Sequence, residues 1–328
     1  MNSPLVTVIT INYNQARVTC QMLASLRQVT YPRLEVIVVD NASPQEDPGL
    51  IAREFPEVNL ICSPVNLGFS GGNNLGIAQA RGKYLLFLNN DTEVAPDFLE
   101  PLVALFESNS QAGCASPKII FHGTDQLIQY AGSRGVDRWT GRSITIGRLE
   151  QDQGQHNISG PTHLIAGAAM MIPMKVIRQV GLMPELFFLY YEELDWCEAI
   201  KRAGSSCHYV APATVYHKES VSVGKASVLK TYYLNRNRLL FIRRNFRGWS
   251  LFTSSLIFLL VALPKSMLVF GLRGEWRHCR ALWQGLTWHL QQWYRQLGPA
   301  STPMYTPLRA ESAQYEPLLL FKQNKNKC

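Results

Sequence analysis

The feature that most restricts the fold is a series of short apolar runs, each closing on polar residues and separated from the next by a helical pattern. Residues 5–11 (LVTVITI), 34–39 (LEVIVV), 59–62 (NLIC) and 84–88 (YLLFL) read as strands, and 16–27, 48–55 and 71–80 as the helices between them. Strand, helix and strand in this rhythm are the crossovers of a parallel α/β sheet. YLLFL fits a strand buried on both faces, and it stops abruptly at Asn89, Asn90 and Asp91. Ligands bind at such strand ends, although a plain turn explains the same letters.

Further along, 96–107 reads as a helix and 114–120 as a strand, followed by a polar, Gly-rich insertion or acceptor-side loop at 122–160. Order returns with HLIAGAAMMIP (163–173), a helix at 174–180, and a helix from about 191 to 202 whose Trp196, Ala199, Ile200 and Ala203 share one face. Gly204 caps it, a strand near 207–210 follows, and then VYHKES (215–220).

The net charge of +8 is uneven, because residues 225–328 hold 16 Lys and Arg against 3 Asp and Glu, together with 5 of the 7 tryptophans. A basic, Trp-rich end points to an anionic surface. The run SLFTSSLIFLLVAL (250–263) has 14 uncharged residues before Pro264 and Lys265 break it. That is short of the roughly 20 a spanning helix needs, so a tilted re-entrant or in-plane helix is expected, with Arg243, Arg244, Arg247 and Arg273 near lipid headgroups. A buried helix pair docked on the rest of the chain is the alternative. Nucleic-acid binding is disfavoured, because the basic end holds a long apolar run instead of interleaved exposed aromatics. The seven scattered cysteines form no CxxC or zinc spacing and read as free thiols; with no basic, apolar leader at the start, residues 1–224 are expected in the cytoplasm.

No GxGxxG follows the first strand and no GxxxxGK[ST] occurs, which removes the main support for dehydrogenase and P-loop readings. What remains is a set of carboxylates and one histidine at element ends: Asp40, Asp91, Glu192, Glu193, Asp195 and His217. Each has a structural explanation, as turn residue, helix N-terminal charge or satisfied polar group. Together they suit transfer from a nucleotide sugar, which needs an acidic partner for the nucleoside, a cation on the diphosphate and a base for the acceptor hydroxyl.

VTVITINYN (6–14), LEVIVVDNAS (34–43), NLGFSGGNNLGI (66–77), YLLFLNNDTEV (84–94), GAAMMIP (167–173), FFLYYEELDWCEAIKRAG (187–204), VYHKES (215–220) and YYLNRNRLLFIRR (232–244) occur in an order that resembles glycosyltransferase family 2, in particular its rhamnosyltransferase-like members. The resemblance implies a GT-A fold, a Rossmann-like mixed α/β sheet flanked by helices, carrying here a C-terminal amphipathic or apolar helical extension. It divides the chain into a catalytic domain (1–245), a membrane-associating helical region (246–298) and a flexible tail (299–328). It also implies a cytoplasmic enzyme, peripheral on the inner face of the plasma membrane, inverting and dependent on Mg2+ or Mn2+. The donor would be dTDP-rhamnose or a UDP-sugar, and the acceptor a glycan or lipid-linked glycan in cell-surface polysaccharide synthesis.

By the same resemblance Asp40 binds the nucleotide, with Thr10 and Asn12 lining its pocket, and Asn89, Asn90 and Asp91 occupy the DxD position, with Asp91 on the metal and His217 completing its shell. Glu193 is the general base, and Tyr191, Glu192, Asp195 and Trp196 lie on the acceptor side. Three departures stand out: Asn89 replaces the first Asp of DxD, Glu193 replaces Asp, and Asn73 stands where some members carry Arg near the diphosphate. Lys218, Arg236 or Arg238 would have to supply that positive charge. The departures also leave open a membrane-associated scaffold that keeps the fold without catalysis.

Overall fold

The computed structural model describes residues 3–218 and 227–292. The expected tail 299–328, the end of the expected 246–298 region and the last two residues of VYHKES lie outside the described residues. The first part runs β1 (Val6–Asn12), α1 (Ala16–Leu26), β2 (Leu34–Asp40), α2 (Gly49–Glu54), β3 (Asn59–Cys62), α3 (Gly68–Gln79), β4 (Tyr84–Leu88), β5 (Thr92–Val94) and α4 (Leu99–Ser108). Then come β6 (Ala112–Phe121), β7 (Ile128–Tyr130), β8 (Ser133–Val136), β9 (Ser143–Thr145), β10 (Gly160–Thr162), β11 (Ala169–Pro173), α5 (Met174–Val180), α6 (Glu192–Arg202) and β12 (Ser206–His217). Helical segments α7 (Val228–Asn245), α8 (Gly248–Ile257), α9 (Leu263–Leu272) and α10 (Trp276–Gln291) close the described chain, α8 and α9 being halves of one continuous helix.

One mixed sheet runs in the order β10-β12-β6-β11-β4-β1-β2-β3, with β5 added to β12 and β7 to β6. The four amino-terminal strands are parallel, and β11 enters antiparallel between β4 and β6. The apolar runs make sense in this frame, because successive side chains feed two different cores. In β4, Tyr84, Leu86 and Leu88 pack toward α1 and α4, while Leu85 and Phe87 pack toward α5, α6 and α7. The expected insertion at 122–160 is ordered around β7, which extends the main sheet, and the antiparallel pair β8 and β9.

Two irregularities matter for function. In β12 the register against β6 shifts between Val210 and Thr214, around Pro212, which has no N–H to give the ladder. Beyond the shift β12 pairs with β5, so that His217 lies opposite Thr92, next to Asp91.

The second concerns the apolar helix. Pro264 does not break it: Gly248–Leu272 is one 25-residue helix, long and apolar enough by length and composition to cross a membrane. A π-helical turn at Phe258–Ala262 widens the backbone ahead of Pro264 and absorbs the clash its ring would cause. Buried positions accordingly step from Ser254 to Phe258 and then, with one extra residue, to Leu263, which keeps one face inward. That face meets α7, where the Arg238 guanidinium lies 5.2 Å from the Phe258 ring. The outer face, with Trp249, Phe252, Leu256, Leu260, Val261, Leu268 and Leu272, is exposed, so the docked, buried helix pair is not what forms. α10 packs on both α9 and α7: His278 stacks on Phe270 and hydrogen-bonds Thr231 at 2.8 Å, and His289 meets the Arg236 carbonyl at 2.8 Å. Cys20, Cys114, Cys197, Cys207 and Cys279 are free thiols, whereas Cys62 is disulfide-bonded, contrary to the expectation for all seven.

Candidate active site

Parallel pairing of β1 and β2 places Asn12 opposite Asp40 at the carboxyl edge of the sheet. The Asp40 carboxylate accepts from Asn12 Nδ2 at 2.7 Å, Ser43 Oγ at 2.5 Å and Ser43 N at 3.0 Å. Asn12 is itself held by the Thr19 hydroxyl at 2.8 Å. The turn reading of DNAS is therefore true of the local geometry, and the same bonds fix the carboxylate at the strand end. Thr10 and Asn12 are wholly buried, like Asp40 itself; Asn12 holds the Asp40 carboxylate, and the Thr10 hydroxyl has no hydrogen-bond partner among the described residues. Asn73 is also buried and bonds back to the Phe69 carbonyl at 3.0 Å inside α3.

At the end of β4 the turn is closed by Thr92 Oγ1 donating to the Asn89 carbonyl at 2.7 Å. Asn90 turns inward to the Thr19 hydroxyl at 3.1 Å. Asp91 Oδ1 lies 3.0 Å from His217 Nε2, across 126 positions of sequence, and both side chains are buried. Asn89 Nδ2 stands 3.4 Å from the same ring nitrogen. On the other side of the ring, His217 Nδ1 meets Gln129 Oε1 at 2.8 Å. An amide oxygen at Nδ1 suits the Nδ1–H tautomer, in which Nε2 can act as a ligand, whereas a proton on Nε2 would be donated to Asp91. Gln129 comes from β7, in the segment whose weak periodicity hid it from sequence reasoning.

Glu193 lies in the first turn of α6 with its Oε2 buried and unpartnered. Its carboxyl faces Gly167, where a Cβ would come within 3.5 Å. The adjoining Ala168 carbonyl accepts from Asn89 N at 2.9 Å, so residues 167 and 168 link Glu193 to the turn that carries Asp91. Burial pushes the Glu193 carboxyl up to about 7, and pushes the neighbouring Glu192, more deeply buried beside it, well above the usual carboxylate range. Tyr191 donates its hydroxyl to the Gly141 carbonyl at 3.1 Å, tying 137–142 to this corner.

Two residues expected on the acceptor side are structural. Asp195 forms a buried ion pair with Arg244, two contacts at 3.0 Å, and accepts from Asn245 at 2.7 Å. Trp196 fills the core edge-on to Phe87, its indole N–H donating to the Gly181 carbonyl at 3.1 Å. α6 turns both inward because they lie on its buried face. Arg244 is correspondingly withdrawn from any headgroup role. Asp195→Ala is expected to cost about 3–5 kcal/mol in urea denaturation, since it strands the Arg244 guanidinium without its carboxylate. A loss below about 1 kcal/mol contradicts that assignment.

The cations proposed for the diphosphate are engaged elsewhere. Lys218 reaches Gln21 at 2.6 Å and Glu93 at 3.0 Å, Arg238 donates to the Thr140 carbonyl, and Arg236 is buried against backbone carbonyls. A second donor cluster, the thiols of Cys114, Cys197 and Cys207 within 4.8 Å of one another, lies in the apolar core. Cys207 is at the opposite end of β12 from His217.

The pattern described as glycosyl transferase family 2 matches residues 7–181, ending before Glu193 and His217. A low-salt glycan biosynthesis hexosyltransferase of Haloferax volcanii, Agl10, is 27% identical over 239 residues, covering 71% of this chain and 74% of its own. An N-acetylglucosaminyl-diphospho-decaprenol L-rhamnosyltransferase of Mycobacterium tuberculosis is 22% identical over 268 residues, covering 74% of this chain and 85% of its own. Among solved structures, a mannosyltransferase of Pyrobaculum calidifontis in complex with GDP-Man and Mn2+ superposes with a TM-score of 0.54 at 15% identity, covering 89% of this chain and 76% of its own. At that identity the likeness is one of fold, a mixed sheet flanked by helices of the GT-A type.

Proposed function

The chain belongs to glycosyl transferase family 2, and from that premise we propose a metal-dependent, inverting enzyme that moves a sugar from a nucleotide diphosphate donor to a hydroxyl of a glycan or lipid-linked glycan. dTDP-rhamnose or a UDP-sugar is the donor of first choice, and cell-surface polysaccharide synthesis the setting. The rhamnosyl transfer to a lipid diphosphate named for the mycobacterial relative supports both.

The observation that carries the reading is the pair Asp91 Oδ1 and His217 Nε2, buried and 3.0 Å apart, with Gln129 on the far nitrogen. Two ligands at about 2.1 Å from one ion and at right angles to each other stand about 3 Å apart, so the pair fits a divalent cation. When bound, Mg2+ or Mn2+ supplies the charge that the leaving diphosphate needs. Asp91 and His217 would hold it, Asn89 would offer a neutral contact in place of the usual carboxylate, and Asp40 would meet the nucleoside. Glu193 would take the proton from the acceptor hydroxyl as that oxygen attacks the anomeric carbon in line, inverting its configuration.

The test is release of nucleoside diphosphate from a panel of dTDP-, UDP- and GDP-sugars. One donor class is expected to be turned over with Mn2+, and EDTA to stop it. Binding without any release, with or without acceptor, would leave the scaffold reading in its place.

We also propose that the exposed face of Gly248–Leu272 lies in the plane of an anionic bilayer, which would put the enzyme peripherally on the inner face of the plasma membrane. Exposed Arg247 and Arg273 flank the two ends of this helix, and exposed Arg277, Arg280, Trp276 and Trp283 follow on α10, the residue types that headgroup contacts require. The packing of α10 back onto α7 favours an in-plane placement over a spanning one, because a span would draw the catalytic unit in with it. The protein is expected to float with phosphatidylglycerol vesicles, and Phe252→Glu combined with Leu256→Glu and Leu260→Glu to abolish flotation while leaving nucleotide release intact. Wild-type protein that stays at the bottom of the gradient overturns the proposal.

A further inference from the structure

The segment that delivers Glu193 to the site is the most strained backbone near it. Phe188, Tyr190 and Tyr191 are non-glycine residues in the left-handed region, with φ of 63°, 69° and 77°. Tyr191 is the residue that opens α6, directly before Glu192 and Glu193. Three such residues in four positions are costly and persist only where their surroundings hold them.

Two adjacent side chains of α7 do the holding. Arg236 Nη2 donates to the carbonyls of Leu186 at 2.8 Å and Phe187 at 2.7 Å, and its Nε donates to Asn237 Oδ1 at 2.7 Å. That last bond fixes which way the Asn237 amide points. Asn237 Nδ2 then donates to the carbonyls of Phe187 at 2.9 Å, Leu189 at 2.7 Å and Tyr190 at 2.8 Å. Both side chains are buried. From the opposite side, Phe69 N donates to the Phe188 carbonyl at 2.6 Å, and a Cβ at Gly68 would stand 2.3 Å from that oxygen. Behind the clamp, α10 sets the ring of Trp288 4.7 Å from the Arg236 guanidinium.

We propose that Arg236 and Asn237 are positioning residues for transfer: they hold 186–191 in its left-handed course, so that Glu193 leaves the loop with its carboxylate facing Gly167. This rests on the reading of Glu193 as the base. The pair also explains the sequence NRNR at 235–238, where buried polar residues interrupt a helix that otherwise packs apolar side chains on α6. Stability alone would be served by apolar residues of similar volume. Aiming five donor contacts at four carbonyls of one loop, those of Leu186, Phe187, Leu189 and Tyr190, fixes a conformation instead.

Asn237→Asp is the discriminating variant, because it keeps the shape and the oxygen bonded to Arg236 but removes the amide that donates to the Phe187, Leu189 and Tyr190 carbonyls, leaving only the two Arg236 bonds to the loop. It is expected to lower kcat about 100-fold, as a displaced base would, while the donor KM and the metal dependence of donor binding stay within about threefold. The acid limb of its pH–rate profile is expected to move, because the base leaves its present surroundings. Should Asn237→Asp fail to fold, Arg236→Lys decides, with an expected fall in kcat of about tenfold and the same KM pattern. A folded variant with kcat within twofold of wild type, or one that loses donor affinity in proportion to kcat, overturns the proposal. Glu193→Gln is the control: if it stays active the base reading itself fails, and if it is inactive while Asn237→Asp turns over normally only the clamp fails.

Discussion

Glu193→Gln is expected to bind the donor as the wild type does while transfer falls by about 10³-fold, within the range that removing a general base produces. Such a fall corresponds to about 4 kcal/mol of lost transition-state stabilisation. The substitution is nearly isosteric, and Oε2 makes no hydrogen bond that its loss would break. The effect therefore belongs to proton transfer and not to packing. The pH dependence gives the same residue a second signature. With its pKa raised to about 7 by burial, Glu193 is protonated and inactive as a base at lower pH. The rate is expected to rise through about pH 7 and then level off, and this limb should vanish from the residual activity of the variant. Glu193→Asp, which withdraws the carboxylate by one methylene, should fall between the two. Stopped-flow or single-turnover rates across pH check all three, and a Gln variant with near-normal turnover removes Glu193 from the mechanism.

Asp91→Ala is expected to abolish the part of donor binding that depends on Mn2+, with transfer reduced about 10³-fold or more, because one charged ligand must neutralise what two carboxylates share in a full DxD. His217→Ala should weaken metal-dependent binding in the same direction but less, since it removes a neutral ligand. Gln129→Ala should weaken it by about tenfold, as loss of an outer partner that fixes a ligand tautomer does. Titration calorimetry with and without Mn2+ orders the three variants. A binding isotherm for Asp91→Ala that responds to Mn2+ as the wild type does rules out the metal role.

The sheet that carries this site is legible in the sequence, for identifiable reasons. The strands of the first half announce themselves because YLLFL and its neighbours are covered on both faces, and the polar residues that end them fall at the sheet edge by topology alone. Asp91 and His217 carry no local signal of their pairing. Only the ordered motifs joined them, and the register of β12 against β5 explains why they meet. Other features stayed hidden because they depend on who packs against whom. Asp195 looked like helix N-terminal charge, yet its carboxylate is consumed by Arg244 from a helix 49 positions away. The resemblance assigns Trp196 to the acceptor side, while its place on the shared apolar face of the helix already points to the core, where it lies. Pro264 read as a helix break, and a single π turn carries the helix past it. Gln129 and the pair Arg236 and Asn237 were missed because a lone amide in a Gly-rich segment, or a polar pair inside an apolar helix, has no periodic signature. Buried polar residues at NRNR, on a helix flanked by aromatic and aliphatic residues, were the one available clue.

The departures Asn89 and Glu193 also look less damaging in three dimensions than in the sequence. Asn89 keeps its place beside His217, and Glu193 is set back against Gly167, where its longer side chain has room. Both are compatible with an active enzyme in which one carboxylate and one imidazole share the metal.

The most direct measurement is calorimetric titration of dTDP, UDP and GDP into the protein with Mn2+ and again with EDTA. Binding of at least one diphosphate that is present with Mn2+ and lost with EDTA is the expected result. Equal affinity under both conditions, or no binding of any diphosphate with Mn2+, would contradict a metal-dependent nucleotide-sugar site at Asp91 and His217.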